Sequence, residues 1–123
     1  MCCAEPILRR GASAVHTFNC QLCGNWAATV QLTDGELVVS SFVSRLTVKV
    51  PAEAQGMLCE VIAAGDTRAL YAIDLEFAPF YCPRCDACYC GEHWTRWDVF
   101  DDDGWHDSIR GLCPQGHERM LED

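Results

Sequence analysis

Four short pairs of cysteine and histidine limit what this chain can fold into more than any other feature. In chain order they are Cys20/Cys23, Cys82/Cys85, Cys90/His93 and Cys113/His117. The spacing within each pair lets both side chains bind one metal ion, and two pairs supply the four ligands of a tetrahedral zinc site. The sequence therefore predicts eight metal ligands and two zinc ions that hold the fold together.

The cysteine content fits metal binding better than a disulfide framework. Ten of the 123 residues are cysteine, a level at which both have to be considered. A disulfide framework needs no histidine, whereas two of the four histidines complete a pair here. The N-terminal segment lacks the apolar core of a signal peptide, and no apolar run is long enough to span a membrane. We therefore expect a cytoplasmic protein with reduced thiols.

The charge of the chain limits its partners. The formal net charge is -9, and such a surface repels phosphate backbones. We therefore expect no nucleic-acid partner and no membrane association. A protein partner with a basic surface suits this charge better.

The length predicts a single domain over residues 1–123. Residues 1–15 read as a loose N-terminal extension, and Cys2 and Cys3 as free thiols. The stretches 26–33 and 36–43 flank Asp34-Gly35, the strongest short-range signal for a β-hairpin. Residues 46–50 alternate and predict a third strand.

The middle of the chain is ambiguous between helix and strand. Pro51 as a start and Gly65 as a stop favour a helix of about three turns, with residues 57, 58, 61 and 62 on its apolar face. A strand over Met57–Ala63 is the alternative. Cys59 reads as a small core residue. Residues 69–77 predict a strand that leads to the second ligand pair.

The last third of the chain resembles a treble clef. Cys82-Pro-Arg-Cys85 is a knuckle, strands 94–100 and 105–112 form a hairpin, and Cys113-Pro-Gln-Gly-His117 opens a short terminal helix that reaches Leu121. The predicted fold class is thus a small zinc-stabilised α+β domain. Residues 16–81 hold the first knuckle and an inserted antiparallel β-rich region, and residues 82–123 form the treble-clef module.

The treble-clef resemblance implies how the ligands group. Cys82, Cys85, Cys113 and His117 would share one zinc ion, which leaves Cys20, Cys23, Cys90 and His93 for the other. This interleaved grouping resembles the cross-brace of RING-type domains. A sequential grouping is the alternative, with pairs one and two on one ion and pairs three and four on the other. Cys88 is an alternative to Cys90, although the spacing of Cys90 from His93 makes the better chelate. His16 and His106 have no pairing partner and read as ordinary histidines.

The resemblance to RING-type domains also implies a docking groove for a ubiquitin-conjugating-type enzyme. The matching positions are Leu22 inside the first knuckle, Pro114 inside the last ligand pair and Arg119 just beyond it. Trp94 and Trp97 lie an odd number of residues apart on one strand, so they point to opposite faces. Either residues 26–77 cover both of them, or one is exposed for a partner; Trp94 is the candidate for partner contact. The long interval between the first two pairs and the positions of the histidines depart from the family.

The sequence contains no catalytic constellation. Four protein ligands leave no position for water on the metal, which is typical of structural zinc, and the His-x-Glu with a later Pro-Cys-x-x-Cys of zinc deaminases is absent. We therefore predict a structural two-zinc interaction module, and any enzymatic activity would be ubiquitin-ligase-like transfer. The alternatives are a zinc-dependent enzyme with an incompletely liganded metal, and a zinc ribbon with a non-ubiquitin partner. A redox switch that uses the spare thiols Cys2, Cys3 and Cys88 is a further alternative.

Overall fold

The computed structural model describes residues 13–42 and 44–122. Cys2, Cys3 and most of the predicted N-terminal extension lie outside the described residues. The first strand already begins at Ser13, inside the segment that the sequence assigned to the extension.

The N-terminal half is built on a four-stranded antiparallel sheet in the order β1-β2-β3-β4. Its strands are β1 (Ser13–Asn19), β2 (Trp26–Thr33), β3 (Glu36–Ser41) and β4 (Arg45–Lys49). The predicted Asp34-Gly35 hairpin is confirmed, because both residues have the positive φ, 50° and 79°, that a tight two-residue turn requires. Alternate residues of β2 and β3, among them Val30, Leu32 and Leu37, are fully buried, so one face of the sheet lies on the core.

Two helices follow the sheet. Helix α1 (Ala52–Ala64) starts after Pro51 and ends at Gly65, whose N–H bonds to the carbonyl of Ile62. The predicted helix is confirmed and the strand alternative over 57–63 is wrong. Leu58, Cys59 and Ile62 are buried, but Met57 is 50% exposed and does not belong to the apolar face.

The predicted strand over residues 69–77 is wrong. This segment forms α2 (Thr67–Ile73) and a 3₁₀ turn (Leu75–Phe77). The side chain of Asp66 accepts a hydrogen bond from the N–H of Ala69, and that of Asp74 accepts one from the N–H of Glu76. These two caps favour helical turns where the apolar residues alone suggested a strand.

The C-terminal part contains two further antiparallel sheets. Strands β5 (Tyr81–Cys82) and β6 (Ala87–Cys88) form a short hairpin, followed by a 3₁₀ turn at Gly91–His93. Strands β7 (Thr95–Phe100), β8 (His106–Leu112) and β9 (Glu118–Glu122) form a three-stranded sheet in that order. The described chain is therefore β-rich, with three antiparallel sheets and two α-helices.

The predicted fold class is wrong at the C-terminus, where a treble clef needs a helix. Residues 118–122 form β9, which pairs with β8 from Leu112↔Glu118 onward. Gly116 has a φ of +89° and lets the chain reverse inside the last ligand pair, so it returns along β8. Arg119 and Leu121 are buried while Glu118 is exposed and Met120 partly so, an alternation with the period of a strand.

Arg119 connects β9 to the segment that precedes the second knuckle. Its side chain donates hydrogen bonds to the backbone carbonyls of Leu75, Ala78, Tyr81 and Met120, at 2.7–3.1 Å. The guanidinium also lies 5.0 Å from the centre of the Tyr71 ring. Neither α-helix in the described part of the chain is long and apolar enough to cross a membrane.

Candidate metal centres

The fold brings the eight ligand-type residues together in two sets of four. Cluster 1 is Cys20, Cys23, Cys90 and His93, and cluster 2 is Cys82, Cys85, Cys113 and His117. Within each cluster all four ligand atoms lie within 4.8 Å of one another. This is the interleaved grouping and not the sequential one, and cluster 1 contains Cys90 rather than Cys88.

The distances in cluster 1 match the edges of a metal-centred tetrahedron. Bond lengths of about 2.3 Å to sulfur and about 2.0–2.1 Å to nitrogen give edges of about 3.8 Å between sulfurs and about 3.6 Å from sulfur to nitrogen. The sulfurs of Cys23 and Cys90 are 3.6 Å apart. Nδ1 of His93 lies 3.4 Å from the sulfur of Cys20, 3.9 Å from that of Cys23 and 3.2 Å from that of Cys90.

Cluster 2 has the same dimensions. The sulfurs of Cys85 and Cys113 are 3.7 Å apart. Nδ1 of His117 lies 3.4–3.5 Å from the sulfurs of Cys82, Cys85 and Cys113. Each cluster therefore offers three sulfurs and one imidazole nitrogen at the corners of a tetrahedron that can hold one metal ion.

The backbone around the first two ligand pairs explains these positions. In the first knuckle the N–H of Gly24 bonds to the carbonyl of Cys20, and in the second the N–H of Asp86 bonds to the carbonyl of Cys82. Both Gly24 and Asp86 have positive φ, at 79° and 55°, so each loop folds back around its two sulfurs. Asp86 also accepts a 2.5 Å hydrogen bond from the hydroxyl of Tyr81.

One family model matches almost the whole chain. A family model described as a domain of unknown function, DUF8328, matches residues 10–123. The chain belongs to that family. No curated protein and no solved structure matches it. The match includes all eight residues of the two clusters.

The clusters are joined directly through the backbone. The N–H of Gln21, inside the first knuckle, donates to the carbonyl of Cys88 at 2.8 Å. Cys88 lies on β6 opposite Tyr81 of β5, and the next residue of β5 is Cys82 of cluster 2. Clusters 1 and 2 are therefore held on one framework in this DUF8328 domain.

Backbone N–H groups favour the thiolate form at two ligands. Burial alone would raise the pKa of Cys20, but hydrogen bonds from the backbone, led by that of Cys90, lower it to about 6. Burial likewise opposes ionisation of Cys113, yet N–H groups of His117 and Gln115, at 3.4 and 3.3 Å from its sulfur, lower its pKa. These contacts prepare the sulfurs for a cation.

The other cysteines and histidines that the structure describes lie outside the two clusters. Cys88 belongs to neither cluster, and burial raises the pKa of its thiol to about 12, which makes it a poor nucleophile at neutral pH. Cys59 is fully buried in the core, as expected, but its sulfur is part of a disulfide and is not a free thiol. His106 lies 3.1 Å from Asp98, and His16 packs against Phe18, so neither belongs to a cluster.

Two of the four residues predicted to contact a partner are buried. Trp94 is 5% exposed and its indole N–H bonds to the carbonyls of Phe80 and Tyr89. Arg119 is also 5% exposed, because backbone carbonyls surround its guanidinium. Neither side chain offers a surface to another molecule. Leu22 is 55% exposed and Pro114 is exposed.

Sequence reasoning missed the aromatic residues that are most exposed. Trp105 is 73% exposed, Phe42 60% and Phe100 58%. Trp105 and Phe100 lie at the end of the β7–β8 hairpin. Trp97 is 38% exposed whereas Trp94 is buried, so the alternative in which both tryptophans are covered is wrong. The run of aspartates at 101–103 was the available signal that this turn projects into solvent.

Proposed function

We propose that this protein is a two-zinc structural module that displays a surface for binding another protein. In each cluster three cysteine thiolates and Nδ1 of one histidine would hold one zinc ion. The single observation that supports this most is the presence of two complete four-ligand sets at tetrahedral spacing. Because cluster 1 takes ligands from the first knuckle and from the third ligand pair, its metal ion would link the N-terminal half of the chain to the C-terminal half.

The donor chemistry favours zinc over other ions. Thiolate with imidazole in a tetrahedral set suits zinc, whereas magnesium and calcium prefer oxygen ligands. Four protein ligands fill the coordination sphere, so zinc here would supply structure and no reactive water. This supports a binding module over the alternative of a zinc-dependent enzyme.

The net charge of the chain and its exposed apolar side chains support a role in binding another protein. The net charge of -9 suits a basic protein surface better than nucleic acid. Several large apolar side chains are exposed, among them Leu22, Phe42 and Trp105. Large exposed apolar side chains are available as anchors for contact with another protein.

Metal analysis tests the proposal directly. The purified chain should contain two zinc ions, measured by inductively coupled plasma mass spectrometry. Structural zinc contributes roughly 10–16 kcal/mol in small peptides, and a domain is stable by only about 5–15 kcal/mol. A strong chelator should therefore abolish the cooperative thermal transition, and added zinc should restore it. A metal-free chain with an unchanged transition would refute the proposal.

A narrower form of the proposal is a RING-like adaptor that docks a ubiquitin-conjugating-type enzyme. Only Leu22 and Pro114 remain to support it, since Trp94 and Arg119 are buried. Leu22→Arg should abolish such docking while both zinc ions stay bound. Val15→Arg is the matched control, because Val15 is 59% exposed and lies on β1, away from the knuckle loop. Equal effects of the two changes, or none, would remove this form of the proposal.

A further inference from the structure

The end of the β7–β8 hairpin combines exposed aromatic rings with carboxylates. We call it the hairpin tip and define it as Phe100, Asp102, Asp103, Trp105 and Asp107. All five side chains are exposed, and Trp105 at 73% is the most exposed large apolar residue in the described part of the chain. Rings of this size are uncommon on a free surface and are frequent at protein interfaces.

The tip is held in a defined conformation by Asp101. Its carboxylate accepts hydrogen bonds from the N–H groups of Asp103 and Trp105, both at 2.9 Å. The N–H of Asp101 bonds to the carbonyl of Trp105 at 2.9 Å. The backbone that carries Trp105 is therefore ordered, which lowers the entropy cost of using the ring in binding.

The charges around the rings are negative and largely unopposed. The side chains of Asp102, Asp103 and Asp107 have no hydrogen bond or ion pair with any residue that the structure describes. The three basic side chains of the hairpin already have partners. Arg96 lies 5.2 Å from the centre of the Phe42 ring, and Arg110 pairs with Glu118 at 2.6 Å. His106 lies 3.1 Å from Asp98 and its ring packs edge-on against one side of Phe100.

We propose that the hairpin tip is the docking surface for a lysine- and arginine-rich segment of a protein partner. A guanidinium or ammonium group binds over the face of an indole or phenyl ring and pairs with an adjacent carboxylate. The tip offers both kinds of contact within a few residues. This deepens the proposed function, on which it rests, by naming the surface and the chemistry of the partner.

Charge excludes the other obvious occupants. A second copy of this chain is also strongly acidic, with 18 Asp and Glu against 9 Lys and Arg, so two tips repel each other. Nucleic acid and anionic lipid carry phosphate and are repelled by the same three aspartates. A basic polypeptide is the class that gains from both the rings and the carboxylates.

Fluorescein-labelled nona-arginine and nona-lysine peptides serve as probes, with binding followed by fluorescence anisotropy at low salt and again at high salt. The wild-type chain should bind both peptides, and added salt should weaken the binding. Phe100→Ala with Trp105→Ala should weaken it by about tenfold or more. Met57→Ala with Ile73→Ala is the matched control, since both residues are exposed and lie on the helices. This control should leave binding unchanged.

A second pair of variants separates local from general charge. Asp102→Asn, Asp103→Asn and Asp107→Asn together should weaken binding by roughly fivefold more than Glu36→Gln, Glu53→Gln and Glu60→Gln together. Both triple variants change the net charge equally, and the three glutamates are exposed elsewhere. Asp101 stays unchanged because it orders the turn.

Several outcomes would overturn the assignment. These are no binding of either peptide by the zinc-loaded chain, equal losses in the two triple variants, or no loss in the aromatic variant. Tighter binding of a single-stranded oligonucleotide or of phosphatidylglycerol vesicles would also overturn it. Zinc content is measured on every sample: two zinc ions without peptide binding refutes only the docking surface, whereas a metal-free folded chain refutes the proposed function.

Discussion

The sulfur atoms of Cys23 and Cys90 lie 3.6 Å apart, although 67 positions separate the two residues in the chain. A disulfide would place them at about 2.05 Å, and a tetrahedral metal site places them at about 3.8 Å. The sulfur–sulfur distance therefore matches that of two thiolates bound to one metal ion. It also shows that the first knuckle meets the third ligand pair, and not the second.

This contact predicts different outcomes for two neighbouring cysteines. Cys90→Ser should leave one zinc ion per chain in place of two and should lower the thermal midpoint, because cluster 1 loses a thiolate. Cys88→Ser should keep both zinc ions, since its sulfur belongs to neither cluster. Metal analysis and thermal unfolding of the two variants test this, and the reverse result would assign Cys88 as the ligand.

Replacement of Arg119 should be costly. Arg119→Met removes the charged donor from the carbonyls of Leu75, Ala78 and Tyr81, and a hydrogen bond to a charged group contributes about 1.5–3 kcal/mol. We expect the free energy of unfolding to fall by at least about 3 kcal/mol in urea with zinc present. Arg110→Met should cost at most about 1 kcal/mol, because the Arg110–Glu118 pair is partly exposed. Similar costs for the two changes would contradict the bridging role of Arg119.

Two glycines should respond in opposite ways to alanine. At Gly111 a Cβ would lie 2.7 Å from a methyl carbon of Leu121 and 3.2 Å from the carbonyl oxygen of Thr95, so Gly111→Ala should destabilise the protein by about 1–3 kcal/mol. At Gly56, inside α1, a Cβ meets nothing within 4 Å, and Gly56→Ala should stabilise it by about 0.5–1 kcal/mol. Urea denaturation of both variants measures the sign of each change in the free energy of unfolding.

His16 should make stability fall in mild acid. Burial lowers the pKa of His16 below its usual value of 6.5, so the unfolded chain binds this proton more readily than the folded chain. The destabilisation begins as the pH falls below about 6.5 and is complete below the folded-state pKa. NMR titration of the zinc-loaded protein should show the lowered pKa. His16→Gln should reduce the slope of stability between pH 7 and pH 5.5, and an unchanged slope would contradict this account.

Local signals in the sequence predicted local structure well. Asp34-Gly35 predicted the β2–β3 hairpin because positive φ at both positions suits few other residues. Pro51 and Gly65 predicted α1 in the same way. The grouping of the eight ligands followed from pair spacing together with a resemblance in element order, and the structure groups them in that way.

The errors arose where tertiary contacts override local pattern. Residues 118–122 form a strand because Arg119 and Leu121 have buried partners across the molecule, which no local signal reveals. The same burial removes Arg119 from the surface, and the indole N–H of the buried Trp94 donates to the carbonyls of Phe80 and Tyr89. At residues 66–77 the sequence contains two residues that commonly cap helices, Asp66 and Asp74. The apolar residues between them nevertheless led to the prediction of a strand.

The interleaving of the two clusters has a consequence for biosynthesis. As the chain leaves the ribosome, the first four clustered thiols to emerge are Cys20, Cys23, Cys82 and Cys85, a combination that belongs to neither native centre. A metal ion bound by these four cysteines would have to dissociate before Cys90 and His93 could complete cluster 1 with the first knuckle. All four strands of the β1–β4 sheet precede Cys82 in the chain, so the sheet that flanks the first knuckle is synthesised before the second knuckle.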